Sequence, residues 1–234
     1  MASDESLVDV ELEDAVARIF LNRPEKANAL NSAMLSALAA ALEALDLATL
    51  RVVVIAGRGR HFCGGADAAE LKALVPANAG AFVEKIHQVC AKIRGLPVPV
   101  VAKLHGAVIG AGLEIAAACD LRVAAEGTKF SMPEVRLGIP SVVEAALLPR
   151  LMGSGRAAWL VLTGEAIDAR RALEWGLIEE MSDGETLLAR LLSNDQQALR
   201  MQKQLLQLWE EAPLGTSVSA SIERFAHSYR GKRT

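Results

Sequence analysis

Val98-Pro99-Val100-Val101-Ala102-Lys103-Leu104-His105-Gly106-Ala107-Val108-Ile109-Gly110-Ala111-Gly112-Leu113-Glu114 decides how the rest of the chain is read. Val98 to Leu104 is an apolar, β-branched run of strand length, the pattern of a strand buried on both faces. A glycine-rich loop follows, and beyond Gly112 an apolar helix carries Glu114 to Ala118. The same order occurs upstream. Arg51 to Ala56 reads as a buried strand ending at Gly57, which leads into His61-Phe62-Cys63-Gly64-Gly65-Ala66-Asp67. Between the two, Phe82 to Ile93 has amphipathic helical spacing and is closed by Gly95, Pro97 and Pro99. Strand, helix and strand in this order predict an α/β domain.

Working outward, Val8, Val10 and Leu12 alternate with acids, and Val16 to Leu21 follows Glu13-Asp14, which predicts a hairpin leading into Asn22-Arg23-Pro24. Asn31-Ser32 can cap a helix over about 33–45, with Met34, Leu35, Leu38, Leu42 and Leu45 on one stripe. Downstream, short strands are expected over Leu121 to Ala124 and Lys129 to Ser131, and helices after Ser141. Asp195 to Arg230 is helical by pattern, with Leu199, Leu205, Leu206, Leu208 and Trp209 on one helix and Ile222, Phe225 and Tyr229 on another.

A chain of 234 residues can bury roughly 70% of its unfolded surface, enough for a core without staples. Its 52% apolar content includes only five Phe, three Trp and one Tyr, so tightly packed small residues are expected inside. Net charge −3 attracts no polyanion globally, and few aromatics are available for base stacking, which disfavours nucleic acid as a partner. Cys63, Cys90 and Cys119 are odd in number and sit in apolar surroundings, as reduced core residues do. The acidic start MASDESLVDVELED has no apolar leader and no run is long enough for a bilayer, so a cytoplasmic protein without membrane contact is expected.

Each glycine loop can bring backbone amides close to a ligand, and the helix start after it has N–H groups without partners. Two such loops could hold one oxyanion, each donor contributing about 3–4 kcal/mol in a transition state. Tight turns for strand-to-helix packing are the other reading. A dinucleotide fingerprint fails, because Ile115 stands three residues after Gly112. Glu114 is out of pattern in its apolar segment: either it faces a confined site and exchanges protons near neutrality, or it caps the helix. Glu134, behind Pro133, is a second candidate acid, with a loop salt bridge to Arg136 as the alternative. His61, His87, His105 and His227 are scattered, so no metal site is expected. Gly153-Ser154-Gly155 has the wrong spacing for a nucleophile elbow.

Taken together, Val8 to Met181 resembles the enoyl-CoA hydratase/isomerase (crotonase) family. Arg23-Pro24-Glu25-Lys26-Ala27-Asn28-Ala29-Leu30-Asn31 is similar to the family's N-terminal signature, whose backbone helps hold coenzyme A. Phe62-Cys63-Gly64-Gly65-Ala66-Asp67 resembles the loop of the first oxyanion amide, at Ala66, and His105 to Glu114 the second, at Ala111, where the family most often has glycine. Glu114 and Glu134 match the two glutamates of the hydratases. The resemblance implies a spiral of ββα units over residues 1–185, carrying the acyl-CoA site, and a helical region over 186–234 for trimerisation or active-site cover. It further implies acyl-CoA binding by Lys26, Ala27, Ala29, Leu30, Gly64, Gly65, Ala66, Asp67, Ala68, Gly110 and Ala111. A homotrimer or homohexamer is expected, and a role in fatty-acid metabolism. No separate cofactor is expected, because coenzyme A is part of the substrate.

Both glutamates favour hydration of trans-2-enoyl-CoA, with Glu134 protonating the α-carbon and Glu114 orienting the water. An enoyl-CoA isomerase working through Glu134, and a non-catalytic acyl-CoA or protein-binding member, are the rival readings. Three departures bear on them. Ser141-Val142-Val143-Glu144-Ala145-Ala146-Leu147-Leu148-Pro149 replaces a glycine-rich turn and adds a third acid. Ala68-Ala69 replaces an aliphatic-basic pair, leaving Lys26, Arg23 or Lys72 as phosphate contacts. Between Met181 and Asn194 the chain is shorter than usual, so the carboxy-terminal helices are expected to join the core differently.

Overall fold

The expected hairpin forms the edge of the main sheet in the computed structural model, which describes residues 6–229. Strand β1 (Val8–Glu13) runs antiparallel to β2 (Val16–Leu21), in register from Val8 opposite Leu21 to Glu13 opposite Val16. The alternation of β1 does not mark a buried face: Val10 and Leu12 are exposed, because past Val8 this edge strand runs out of the core. From β2 the sheet continues in parallel through β3 (Val52–Gly57) and β4 (Val100–Leu104). Two further strands complete it, β6 (Leu121–Ala124) and β9 (Glu180–Met181). Every residue of β3 is buried, as a two-sided parallel strand requires.

One face of the sheet is covered by α1 (Ser32–Glu43), α3 (Pro76–Gly95) and α4 (Ala111–Ala118), whose Leu35, Leu38, Ile86, Ile93 and Ile115 join the main core. Asn31 accepts the Met34 N–H and starts α1, as its sequence suggests. Helix α3 begins six residues before the expected Phe82. Pro76 takes the first turn and Asn78 bonds back to the Val75 N–H, so local capping extends the helix where apolar spacing is lacking. The opposite face holds Val16, Val52, Val54, Val101 and Val123 under Leu188 of α8 (Glu185–Ser193).

A second, small sheet lies at the end of the first. It joins β5 (Ala107–Ile109), β7 (Lys129–Ser131) and β8 (Ile167–Asp168). Cys63 extends this layer by pairing with Val108, and Ala66 pairs with Leu30. Each long strand therefore turns into a short crosswise one and then into a helix, α2 (Ala68–Ala73) or α4, which is the spiral of ββα units that the crotonase fold implies.

Helices α5 (Leu148–Met152), α6 (Ser154–Thr163) and α7 (Ala169–Trp175) carry the chain back towards β9. The carboxy-terminal helices are α9 (Gln196–Glu211) and α10 (Leu214–Ser228), and Arg230 lies outside the described residues. A concavity of about 960 Å³ lies between them, lined by Leu205, Trp209, Ile222 and Phe225 among others. No helix among the described residues is long and apolar enough to cross a membrane.

Gln196, Arg200 and Gln207 of α9 donate to carbonyls of Leu50, Leu47 and Arg94, and one buried cation adds to them. Lys203 donates to the carbonyls of Val98 at 2.9 Å and Ile93 at 3.5 Å, and pairs with Asp120 at 2.8 Å. Replacing Lys203 by Met leaves the Val98 carbonyl without its donor and Asp120 without its cation, and a loss of about 3 kcal/mol in urea unfolding is expected.

Candidate active site

Two glycine loops converge because backbone hydrogen bonds sew them together. Phe62 N–H donates to His105 O at 2.8 Å, Cys63 N–H to Ala107 O at 3.0 Å, and Ile109 N–H to Cys63 O at 3.1 Å. Gly65 adopts φ +97°, and a Cβ there would stand 2.9 Å from the Ile109 carbonyl, so only glycine allows this approach. A third segment joins through Gly64 N–H to Ala27 O at 2.8 Å and Leu30 N–H to Gly65 O at 2.8 Å. With these bonds made, the N–H groups of Ala66 and of Ala111, the first residue of α4, take no part in the backbone pairing of the described residues.

Asn28 is the knot of this assembly. It is fully buried with φ +55°, accepts the Arg23 N–H at 2.8 Å, and donates to the carbonyls of Arg58, His61 and Phe62 at 2.9, 2.7 and 3.2 Å.

Glu114 stands in the first turn of α4 but does not cap it; the N-cap is Gly110, and the carboxylate is buried, 4% exposed. Its Oε1 accepts the Ala145 N–H at 3.2 Å. Burial pushes the carboxyl up to about 8, the Ala145 bond opposing and the neighbouring charges of Glu134 and Glu144 adding to the rise. Glu134 opens the short helical turn Glu134–Leu137, and its Oε2 accepts the Ser141 hydroxyl at 2.8 Å. A Cβ on Gly110 would lie 2.4 Å from Glu134 Oε1, so the second glutamate rests against the glycine that precedes Ala111. The Glu134–Arg136 salt bridge, the alternative reading of Glu134, is absent among the described residues: Arg136 turns outward to Glu165 instead.

Glu144, the third acid, is also buried. Its Oε1 meets His87 Nδ1 at 2.8 Å, while its Oε2 is buried without a hydrogen-bond partner among the described residues. Val143 before it has φ +41°, a strained conformation for a β-branched residue.

On the coenzyme side of the expectation, Lys26 is exposed in the turn Pro24–Lys26, with Ala27 at φ 52° and the Ala29 N–H bonded to Lys26 O at 3.0 Å. Leu30 is fully buried and Gly110 N–H is bonded to Ser131 O at 2.9 Å, so both serve the frame. Arg23 is committed to Asp67 at 2.6 Å, which holds that carboxyl below the usual range. Asp67 in turn caps α2, whose first residue, Ala68, is exposed, as is Lys72 near its end. Lys26 and Lys72 thus remain the accessible cations. No group of three or more potential metal-binding His, Cys, Asp or Glu side chains occurs among the described residues.

The model of the enoyl-CoA hydratase/isomerase family matches residues 11–227. The chain belongs to that family. It is 33% identical over 229 residues to the crotonyl-CoA hydratase of Syntrophomonas wolfei, covering 92% of this chain and 87% of that protein. To the short-chain-enoyl-CoA hydratase of Clostridium acetobutylicum it is 31% identical over 232 residues, covering 95% and 89%. The crystal structure of enoyl-CoA hydratase from Thermoplasma volcanium superposes with a TM-score of 0.92 at 30% identity, over 99% of this chain and 96% of that one.

Within this enoyl-CoA hydratase/isomerase frame, sequence reading passed over Asn28, Ser141 and His87. Asn28 stood in the quoted signature, but only its fourfold bonding shows its weight. His87 reads in the sequence only as one of four scattered histidines, and its contact with Glu144 spans 57 residues.

Two outcomes follow from this geometry. Asn28→Ala leaves three buried carbonyls and the Arg23 amide unpaired, so a loss of roughly 3 kcal/mol or more in chemical unfolding is expected. Because Glu114 binds its proton more tightly folded, at about 8, than unfolded, near 4.5, its stabilisation is complete below about 4.5 and is lost as pH rises towards 8. Melting temperatures of the native chain and Glu114→Gln, compared from pH 5 to pH 8, should show the decline in the first and a flatter curve in the second.

Proposed function

We propose that the protein is an enoyl-CoA hydratase, which adds water to trans-2-enoyl-CoA thioesters. The observation that carries the reading is the meeting of Glu114 and Glu134 at Gly110-Ala111, beside amides free of the backbone pattern. Crotonyl-CoA and short-chain enoyl-CoA hydratases among the relatives support it.

The thioester oxygen is received by the Ala66 and Ala111 amides, where donors preorganised for an enolate lower the barrier by about 3–4 kcal/mol each. Water held by Glu114 forms the bond to the β-carbon and gives a proton to that carboxylate. Glu134 gives its proton to the α-carbon. The ionised Glu114 and protonated Glu134 needed for this direction differ from the empty site, where burial favours the proton on Glu114. Dehydration starts from the opposite arrangement.

The backbone around Ala27, Ala29, Gly64, Gly65 and Ala68 and the ammonium of Lys26 receive the coenzyme portion. Of the described residues, 6–185 make up the catalytic unit and 186–229 the helical unit. The apolar side chains of α10, with Leu214, Ile222 and Phe225 exposed, fit a subunit contact in a homotrimer or homohexamer. A cytoplasmic setting suits three buried, reduced cysteines, and no cofactor beyond the substrate's own coenzyme A is invoked.

The test is the loss of enoyl-thioester absorbance on adding the protein to crotonyl-CoA and longer homologues. Hydration is expected, with Glu114→Gln and Glu134→Gln each lowering kcat by about 10²–10⁴. Turnover of 3-enoyl-CoA alone would replace this reading by isomerisation. Because forward hydration needs one proton on the pair, carried by Glu134 at the moment of reaction, kcat/KM should hold up to about 8, where the Glu114 carboxyl loses its proton, and fall above it; a profile still rising beyond 8 would contradict the shared-proton assignment.

A further inference from the structure

Hydration by the two glutamates, the reading this inference rests on, does not return the site to its starting state. Each turnover takes a proton from water onto Glu114 and removes one from Glu134. The α-carbon keeps the latter, so the next cycle requires Glu114 to lose a proton and Glu134 to gain one. Glu134 is half-buried, bonded to the Ser141 hydroxyl, and can be recharged from that side. Glu114 is 4% exposed and needs an outlet.

We propose that Glu144 and His87 are that outlet, a two-residue relay carrying the Glu114 proton to solvent. Glu144 is attached to Glu114 through its neighbour, since Ala145 N–H is the donor to Glu114 Oε1 at 3.2 Å. Burial raises the Cys90 thiol of α3, and the charges of Glu144 and Glu114 and a hydrogen bond to Glu144 add to the rise, so Glu144 turns towards α3 beside this thiol. The two oxygens of Glu144 are in different situations. Oε2 is buried and unpaired, open to receive a proton, whereas Oε1 is 2.8 Å from His87 Nδ1. The side chain of His87 is 50% exposed, so its other ring nitrogen can exchange with water. The Glu114 proton passes to Oε2 of the ionised Glu144, and rotation of that carboxyl brings the O–H to the unprotonated Nδ1. The imidazolium so formed gives its Nε2 proton to water, which leaves Glu144 ionised again and the ring to regain its first tautomer by exchange with solvent. The O–H bond broken on Glu114 is balanced by one formed in water, with no oxidant or further reactant. Neither residue touches the reacting atoms; both act through Glu114.

An unpaired carboxylate oxygen in a dry pocket is costly, and a plainly structural Glu144 would be expected to satisfy both oxygens. His87→Ala takes from Glu144 Oε1 its hydrogen-bond partner, so the imidazole arm, and not the loss alone, separates a relay from a structural role. The experiment is steady-state hydration of crotonyl-CoA by the native chain and His87→Ala, with imidazole varied at constant pH and ionic strength, and Glu144→Gln as second variant. The relay predicts that kcat falls about tenfold or more in both variants while KM for the thioester holds, and that imidazole restores kcat of His87→Ala in a saturable way. Unchanged kcat in His87→Ala overturns the relay, as does a fall that imidazole does not repair, since a structural loss is indifferent to a mobile proton carrier. A native chain inert towards all enoyl-CoA substrates would overturn the hydration reading itself, and the relay with it.

Discussion

Three backbone hydrogen bonds between the segment after β3 and the segment after β4 are the constraint on which the rest of the structure depends. Parallel strands alone bring Val53 beside Val100, but they say nothing about where the chain goes after leaving the sheet. The bonds from Phe62, Cys63 and Ile109 force both exits to turn the same way, into a second layer. Asn28 then fixes the N-terminal segment to the first exit by satisfying three carbonyls that the turn leaves pointing inward. One amide side chain therefore does what a longer strand would do elsewhere. This close approach leaves no room for side chains: a Cβ at Gly112 would meet Cys63 Cβ at 2.7 Å.

Much of this arrangement is legible in the chain itself, and the exceptions have physical causes. Buried parallel strands and amphipathic helices announce themselves through composition and period, so β3, β4, α1 and the middle of α3 fall where the pattern puts them. Strand β5 hides inside a glycine loop because three residues are too few to show alternation, and β8 and β9 have two residues each. Helix α2 owes its start to the Asp67 side chain, which also answers to Arg23, so local and tertiary causes are mixed. The polarity of Glu114 among apolar neighbours is a signal of confinement that sequence carries well. The partners of Arg136 and Glu134 are not, since both are chosen by how the turn after Pro133 is aimed.

Helix α4 shows why its residues are so small. All eight are buried, and five are alanine or glycine, so the helix sits against the sheet, α3 and the turn Val143–Leu147 at once. Larger residues would push the walls apart and admit water, which would return the Glu114 carboxyl towards its ordinary acidity. Confinement by alanine is thus part of the electrostatics. Glu114 holds its proton because the surroundings are dry, and the added charges of Glu134 and Glu144 act more strongly in that medium.

The departure after Pro140 bears on the same balance. Val143 is held at φ +41°, a conformation costing about 1–3 kcal/mol, where a glycine would be free of strain. The turn it creates sends Glu144 inward and aims the Ala145 N–H at Glu114. A protein could reach a relaxed backbone here by giving up the branched side chain, and could avoid a buried acid by using an alanine at the next position. Retaining both means that the local cost is offset by contacts the turn alone does not explain. The bond between Glu144 and His87 accounts for one carboxylate oxygen, and the proposed relay gives the other a partner during turnover, in addition to the Cys90 thiol beside the carboxylate.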